Sequence, residues 1–168
     1  MIRSSLVLLA LVFGANPALA GGGPVRDFTG LQPGDTFPLP DGVCAFPVVM
    51  TIVVNKEYTL TFNPDAVGTI RQLESGRLVV ALTNTSTDES VIRNISGPGK
   101  FLYFTDGSID LAMSGAWGIF FAPDQRGPGT PGALFVNTGK MAVHTDPSGI
   151  QTVSQQHGSQ EDLCAALE

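Results

Sequence analysis

Asp106-Gly107-Ser108-Ile109-Asp110-Leu111-Ala112-Met113-Ser114 is the stretch on which the fold class turns. Ile109, Leu111 and Met113 alternate with polar or small residues, the period-two pattern of a strand that buries one face and wets the other. Asp106-Gly107 ahead of it is a tight-turn dipeptide, because both residues tolerate the positive φ that hairpin turns demand. The same texture extends in both directions. Short β-branched and aromatic runs predict strands over Val48 to Val54, Tyr58 to Phe62, Arg77 to Thr85, Ser90 to Ser96, Lys100 to Thr105, Ser108 to Ser114, Ala116 to Phe121, Ala133 to Val136, Lys140 to Thr145 and Gly149 to Ser154. Further turns are expected at Asn137-Thr138-Gly139 and Asp146-Pro147-Ser148-Gly149, and Ser96-Gly97-Pro98-Gly99 is expected to reverse the chain between two strands.

Val48 to Val54 and Phe101 to Phe104 are apolar on both faces, as expected where a sheet is covered twice. No amphipathic helix is legible between Cys44 and the last few residues. Many short strands without helices must close on themselves or pack as two sheets, since a single open sheet would leave an apolar face in water. The expectation is one all-β domain over residues 44–168, an antiparallel meander closed as a barrel or as a two-sheet sandwich, with Pro123 to Gly132 a rigid loop inside it.

Residues 21–43 carry Pro24, Pro33, Pro38 and Pro40 with little periodicity, and read as a Gly/Pro-rich extended approach to that domain. Residues 1–20 have the features of a secretory signal peptide: Arg3, an apolar run from Leu6 to Val12, Pro17, and Ala18-Leu19-Ala20 at the cleavage positions. The apolar run is shorter than the ~20 residues a bilayer requires, so no retained membrane span is expected. Cleavage after Ala20 would remove 20 of the 168 residues and leave 148, enough for one domain with a real core. The protein is thus read as secreted, extracellular or cell-wall associated. Loss of Arg3 takes the formal charge from −6 to −7, a field that repels nucleic acid and anionic lipid and argues against both as partners.

The two cysteines, Cys44 and Cys164, bracket the predicted strands. In an oxidising compartment a pair of this kind is most simply a disulfide. Closing so long a loop is worth on the order of 4 to 5 kcal/mol by the chain-entropy model.

Four sets of residues offer candidate chemistry. His144 shares a strand face with Lys140, Ala142 and Asp146, opposite Met141, Val143 and Thr145, and so reads as a solvent-facing histidine; His157 lies in a polar stretch. Neither has the ligand spacing of a zinc site. Asp106 and Asp110, Asp88-Glu89 and Glu161-Asp162 are acidic pairs, but none has the dense oxygen pattern of a calcium loop, and no metal or cofactor is expected. The Ser-Gly pairs at residues 75, 96, 114 and 148 lack a nucleophile-elbow context and read as turns. Asn84-Thr85-Ser86 and Asn94-Ile95-Ser96 fit the glycosylation sequon, making Asn84 and Asn94 conditional sites if the host has the machinery.

Tyr58, Phe62, Phe101, Tyr103, Phe104, Trp117, Phe120 and Phe121 provide enough aromatic surface to fill a core or line a ligand cavity. Asp41-Gly-Val-Cys-Ala-Phe-Pro-Val48, Thr83-Asn-Thr-Ser-Thr-Asp-Glu-Ser-Val91 leading to Asn94-Ile-Ser-Gly-Pro-Gly99, Gly132-Ala-Leu-Phe-Val-Asn-Thr-Gly-Lys140 and Asp162-Leu-Cys-Ala-Ala-Leu167 together resemble the uncharacterised small secreted β-rich proteins of actinobacteria. The resemblance implies a secreted β-rich domain tied by the Cys44–Cys164 disulfide, implies no catalytic residues, and makes use of the two sequons unexpected. The functional expectation is a non-enzymatic binding or surface-interaction module for an extracellular macromolecule. The alternative is a β-barrel carrier of a small apolar ligand, and an unrecognised hydrolase stands behind both.

Overall fold

The alternation around Met113 is realised as a strand in a computed structural model that describes residues 23–168. The leader and the cleavage position after Ala20 lie outside the described residues. The described chain runs through β1 (Val25–Phe28), β2 (Thr36–Pro38), β3 (Val48–Asn55), β4 (Tyr58–Thr61), β5 (Ile70–Ser75), β6 (Leu78–Asn84), β7 (Ser90–Asn94), β8 (Gly99–Tyr103), β9 (Ile109–Phe121), β10 (Ala133–Thr145) and β11 (Gln151–Asp162). A single 3-10 turn, Ala165–Leu167, follows.

The strands form two antiparallel sheets: a seven-stranded one in the order β1-β4-β5-β8-β9-β10-β11 and a four-stranded one in the order β2-β3-β6-β7. The large sheet is not closed, since β1 and β11 are its two edges. The barrel alternative therefore fails and the two-sheet alternative fits. Only β8 to β11 form the expected meander; before that the chain passes repeatedly from one sheet to the other.

Within the Gly/Pro-rich segment, read as an extended approach to the domain, β1 and β2 supply an edge strand to each sheet, β1 against β4 and β2 against β3. Proline is tolerated there because an edge strand has one side without ladder partners. The Ser96–Gly99 segment, expected as a simple reversal, carries the chain from β7 in the small sheet to β8 in the large one.

Two expected turns prove to be strand interior. Ser114-Gly115 lies within β9 and Asn137-Thr138-Gly139 within β10, where Gly115, Gly139 and Gly158 stand in register across β9, β10 and β11. All three have positive φ, at 80°, 139° and 110°. A Cβ on Gly139 would stand 2.2 Å from the His157 carbonyl oxygen, and one on Gly158 would stand 1.9 Å from that of Thr138. Glycine is thus required by close backbone approach, and the row divides each long strand into two halves.

The halves have different surroundings. Leu134 and Val136, with Ala116 and Phe120, pack against Val48, Ile52, Val80 and Leu82 of the small sheet. Beyond the glycine row, that same face of β10 carries Lys140, Ala142 and His144, none of them buried. The opposite face holds Phe135, Met141 and Val143, which pack with Met113, Ile119 and Phe121 of β9. Cys44 and Cys164 form the expected disulfide, Cα atoms 5.5 Å apart, at the edge of the first cluster beside Val43, Leu163 and Leu167.

Candidate functional site

The inner face of the large sheet is set by register. Thr59 of β4 pairs with Glu74 of β5, Gln72 with Phe101 of β8, Phe101 with Leu111 of β9, and Val143 of β10 with Leu111, so these side chains share one face. Five steps at ~4.8 Å would separate β4 from β11 by ~24 Å in a flat sheet. Yet Thr59 and Gln151, the first residue of β11, line one cleft of about 280 Å³. The sheet therefore curls around this face. The loop after β9 covers one end, where the Gln125 carbonyl accepts the Gln151 amide at 2.7 Å.

Aromatic rings form the cleft's principal wall. Phe101 and Tyr103 stack nearly parallel with centroids 6.0 Å apart, and Phe101 meets Trp117 at 6.4 Å in a tilted arrangement. Trp117 lies across the Gly97-Pro98-Gly99 crossing and donates its indole N–H to the Pro98 carbonyl at 3.3 Å. Side chains at 97 and 99 would occupy the space of the ring, so the Gly-Pro-Gly run seats the indole. Of the other aromatic candidates, Phe120 and Phe121 also line the cleft. Tyr58 and Phe62 instead lie under the guanidinium groups of Arg26 and Arg71, at 3.9 and 3.8 Å from their centroids.

The polar end of the cleft contains a pair of carboxyls that no sequence motif signals. Glu57, between β3 and β4, is 5% exposed and hydrogen-bonded to Glu74, which lines the cleft. Asn55 fixes this corner: its Oδ1 accepts the Glu57 amide at 2.9 Å, while its Nδ2 donates to Thr29 Oγ1 at 2.6 Å and the Leu31 carbonyl at 3.0 Å. Burial first, then the charge of Glu74 and their hydrogen bond, pushes Glu57 up to about 8. Burial also raises Glu74, while the hydrogen bond from Glu57 opposes the rise. At neutral pH Glu57 therefore holds the shared proton and donates it to a charged Glu74. Burial and the Glu74 charge hold the Tyr103 phenol protonated up to about 12. Its hydroxyl donates to Gln72 Oε1 at 3.1 Å, and Gln72 Nε2 donates to Thr61 Oγ1 at 3.0 Å.

This geometry can bind a small molecule between rings and a carboxyl. It does not fit the two-carboxylate arrangement of glycoside cleavage, in which roughly 5 to 9.5 Å separates the groups. Among the described residues no group of three or more His, Cys, Asp or Glu is arranged to hold a metal ion.

The histidines, acidic pairs and sequon asparagines singled out from sequence lie outside the cleft. His144 is on the outer face, as expected, with Nδ1 2.7 Å from Asp110 Oδ1 and both side chains nearly half exposed. His157 is exposed on β11 opposite Lys140. Asp106 and Asp146 close turns by accepting from Ser108 and Ser148, which lowers both carboxyls. Glu161 forms a charge-assisted pair with Arg93 that joins β11 to β7 across the two sheets. Of the two sequon asparagines, Asn84 is 3% exposed and its Nδ2 donates to the Leu167 carbonyl at 3.0 Å. Asn94 is exposed, with its Oδ1 accepting the Ser96 amide at 3.2 Å.

No family model, curated protein or solved structure matches the chain.

Proposed function

We propose that the chain is an extracellular binding module whose site is the curled-sheet cleft, and that it takes a small, largely apolar ligand. The observation that carries this reading is the wall formed by Phe101, Tyr103 and Trp117, left lining an opening of about 280 Å³ rather than packed into the second sheet. Concave, mostly apolar sites with a few polar groups are the usual form of small-molecule sites, and this volume suits a ligand at or below the small end of their range. The reading keeps the carrier idea while replacing the barrel with an open, curled sheet. It stands ahead of a macromolecular surface module because a concave site is a better match to a small molecule than to a broad partner.

The Cys44–Cys164 disulfide supports an oxidising destination, and no helix among the described residues is long and apolar enough to cross a membrane. Export through the leader and kinship with the small secreted actinobacterial proteins form part of the same proposal.

The test is binding of the neutral fluorophore N-phenyl-1-naphthylamine, followed by energy transfer from Trp117, the sole tryptophan. Saturable transfer that is weakened at least tenfold by Phe101→Ala is expected. Absence of saturable transfer, or transfer indifferent to that substitution, would overturn the assignment of this cleft.

A further inference from the structure

We infer that the ligand is a small organic cation, a protonated amine on an apolar body, with its ammonium set against Glu74 and its body against Trp117 and Phe101. This rests on the cleft being a ligand site and specifies the chemistry it selects. The first ground is placement. Glu74 pairs with Gly99 of β8, and a Cβ on Gly99 would stand 2.5 Å from Cζ2 of the Trp117 indole. The ring thus covers the sheet position directly beside the carboxyl, bringing a π face and a negative charge to one spot. A cation gains from both at once, since ring faces attract positive charge most strongly where water is excluded.

The second ground is missing compensation. Buried carboxylates are ordinarily paired with a cation, yet the electrostatics of Glu57 and Glu74 include each other and no lysine, arginine or histidine. The ionisable groups nearby are the wrong sign or turned away. Tyr103 is a neutral phenol, and Asp27 of β1 stands in line with Thr59. By register Arg71 and Lys100, on β5 and β8, fall on the opposite face, and Arg26 lies over Tyr58. Arg126 stacks on Phe121 at 4.8 Å, eight residues along β9 from the strand position aligned with Gly99. A further polar group on the cleft side is also unsatisfied. Asn137, in line with Trp117 across β10 and β9, is 1% exposed with neither its amide nitrogen nor its oxygen bonded.

Other ligand classes meet objections. An anion would face Glu74 directly. A neutral apolar molecule would desolvate the charge without pairing it. A calcium-like ion needs six to eight oxygens, whereas aromatic rings occupy most of this wall.

The same geometry gives the binding a pH dependence. A cation favours loss of the proton shared by Glu57 and Glu74, so binding releases protons and tightens as pH rises toward 8. Opposing Asp27 carries the same sign and Tyr103 stays neutral throughout this range.

The experiment compares three probes of similar size on the full disulfide-bonded protein: phenethylammonium, 2-phenylethanol and 3-phenylpropanoate. Each is titrated by calorimetry at pH 5.5 and pH 8, in two buffers of different ionisation enthalpy. Phenethylammonium should bind at least tenfold more tightly than the alcohol, with the preference growing toward pH 8 and protons released. The carboxylate should bind weakest. Glu74→Gln should abolish the preference, so that the amine binds no more tightly than the alcohol. If the alcohol or carboxylate binds as tightly as the amine, the cation inference is wrong and the cleft remains a ligand site. If no probe binds and N-phenyl-1-naphthylamine also fails, the site assignment itself falls.

Discussion

Gly97 lies directly beneath the indole of Trp117, so close that a Cβ on Gly97 would stand 2.2 Å from the ring's Cδ1. Its φ lies outside the left-handed region, so alanine is acceptable to its own torsion, and the objections come from the ring and from the Ser114 carbonyl oxygen, 2.5 Å from the same Cβ. Gly97→Ala is therefore expected to lift the indole from its seat. Overpacking of this kind costs about 1 to 3 kcal/mol, and the tryptophan emission should move to longer wavelength. Probe affinity should fall with it. Unchanged emission from a folded Gly97→Ala protein would show that the Gly-Pro-Gly run does not seat the indole.

The Glu57–Glu74 pair should leave its mark on stability as well as binding. Glu57 holds its proton up to about 8 in the folded protein, against 4.5 for a free carboxyl. Between those values the folded state binds more protons than the unfolded state, so stability falls with rising pH. Its contribution is full below about 4.5 and is lost as pH rises through about 8, with Glu74 shifting in the same direction. At about 1.4 kcal/mol per pKa unit the change amounts to a few kcal/mol. Asp106, Asp146 and Glu161 are shifted down and act in the opposite sense at acid pH, but they are exposed and weak. Thermal melts should therefore peak near pH 5 and decline toward pH 8.5. Glu57→Gln should flatten that decline; a wild-type melting curve independent of pH over this range would rule out the buried shared proton.

The Ala165–Leu167 turn is a structural closure although only Glu168 follows it in the sequence. Leu167 is fully buried among Val48, Val80 and Leu82, and its carbonyl accepts from Asn84. Leu167→Ala should cost about 2 to 5 kcal/mol, the range for deleting a buried leucine side chain. The disulfide just before it closes a separation of 120 residues, worth about 4 to 5 kcal/mol in chain entropy. Denaturant unfolding with and without reductant should reveal a loss approaching that size. A reduced protein as stable as the oxidised one would refute the closure argument.

The legibility of this chain followed the contrast between inward and outward residues. Val48 to Val54 and Ile109 to Met113 alternate or saturate with apolar residues, and the strands there were predicted to within a few residues. β5 was missed because its cleft-facing residues are Ile70, Gln72 and Glu74, so its inner face reads as polar and its outer face carries Arg71. That mismatch is the signature of the site: the strand whose interior is polar is the one that brings a carboxyl to the cleft. Glu57 was equally silent, since a lone glutamate after Asn55-Lys56 gives no sign that a residue 17 positions later will meet it. The register of β4 on β5 makes that meeting, and register is a property of pairing rather than of local sequence.

The glycine row explains why two strands were each divided in the sequence reading, and it supports a final prediction. Asn137-Thr138-Gly139 has turn chemistry, yet Gly115 and Gly158 stand opposite Gly139 on either side, so the positive φ bends a continuous strand instead of reversing it. Gly139→Ala must force a Cβ against the His157 carbonyl at 2.2 Å as well as hold φ at 139°. Gly129→Ala, in the loop after β9, meets open space and only the backbone preference at φ 79°. The loop change should cost about 1 kcal/mol, in line with glycine's advantage at positive φ, and leave probe binding intact. Gly139→Ala should cost more than 2 kcal/mol, since backbone must move, and should weaken probe binding because the bend shapes the wall that carries Trp117 and Asn137. Equal costs for the two substitutions in chemical denaturation would mean that the bend does not depend on the glycine row.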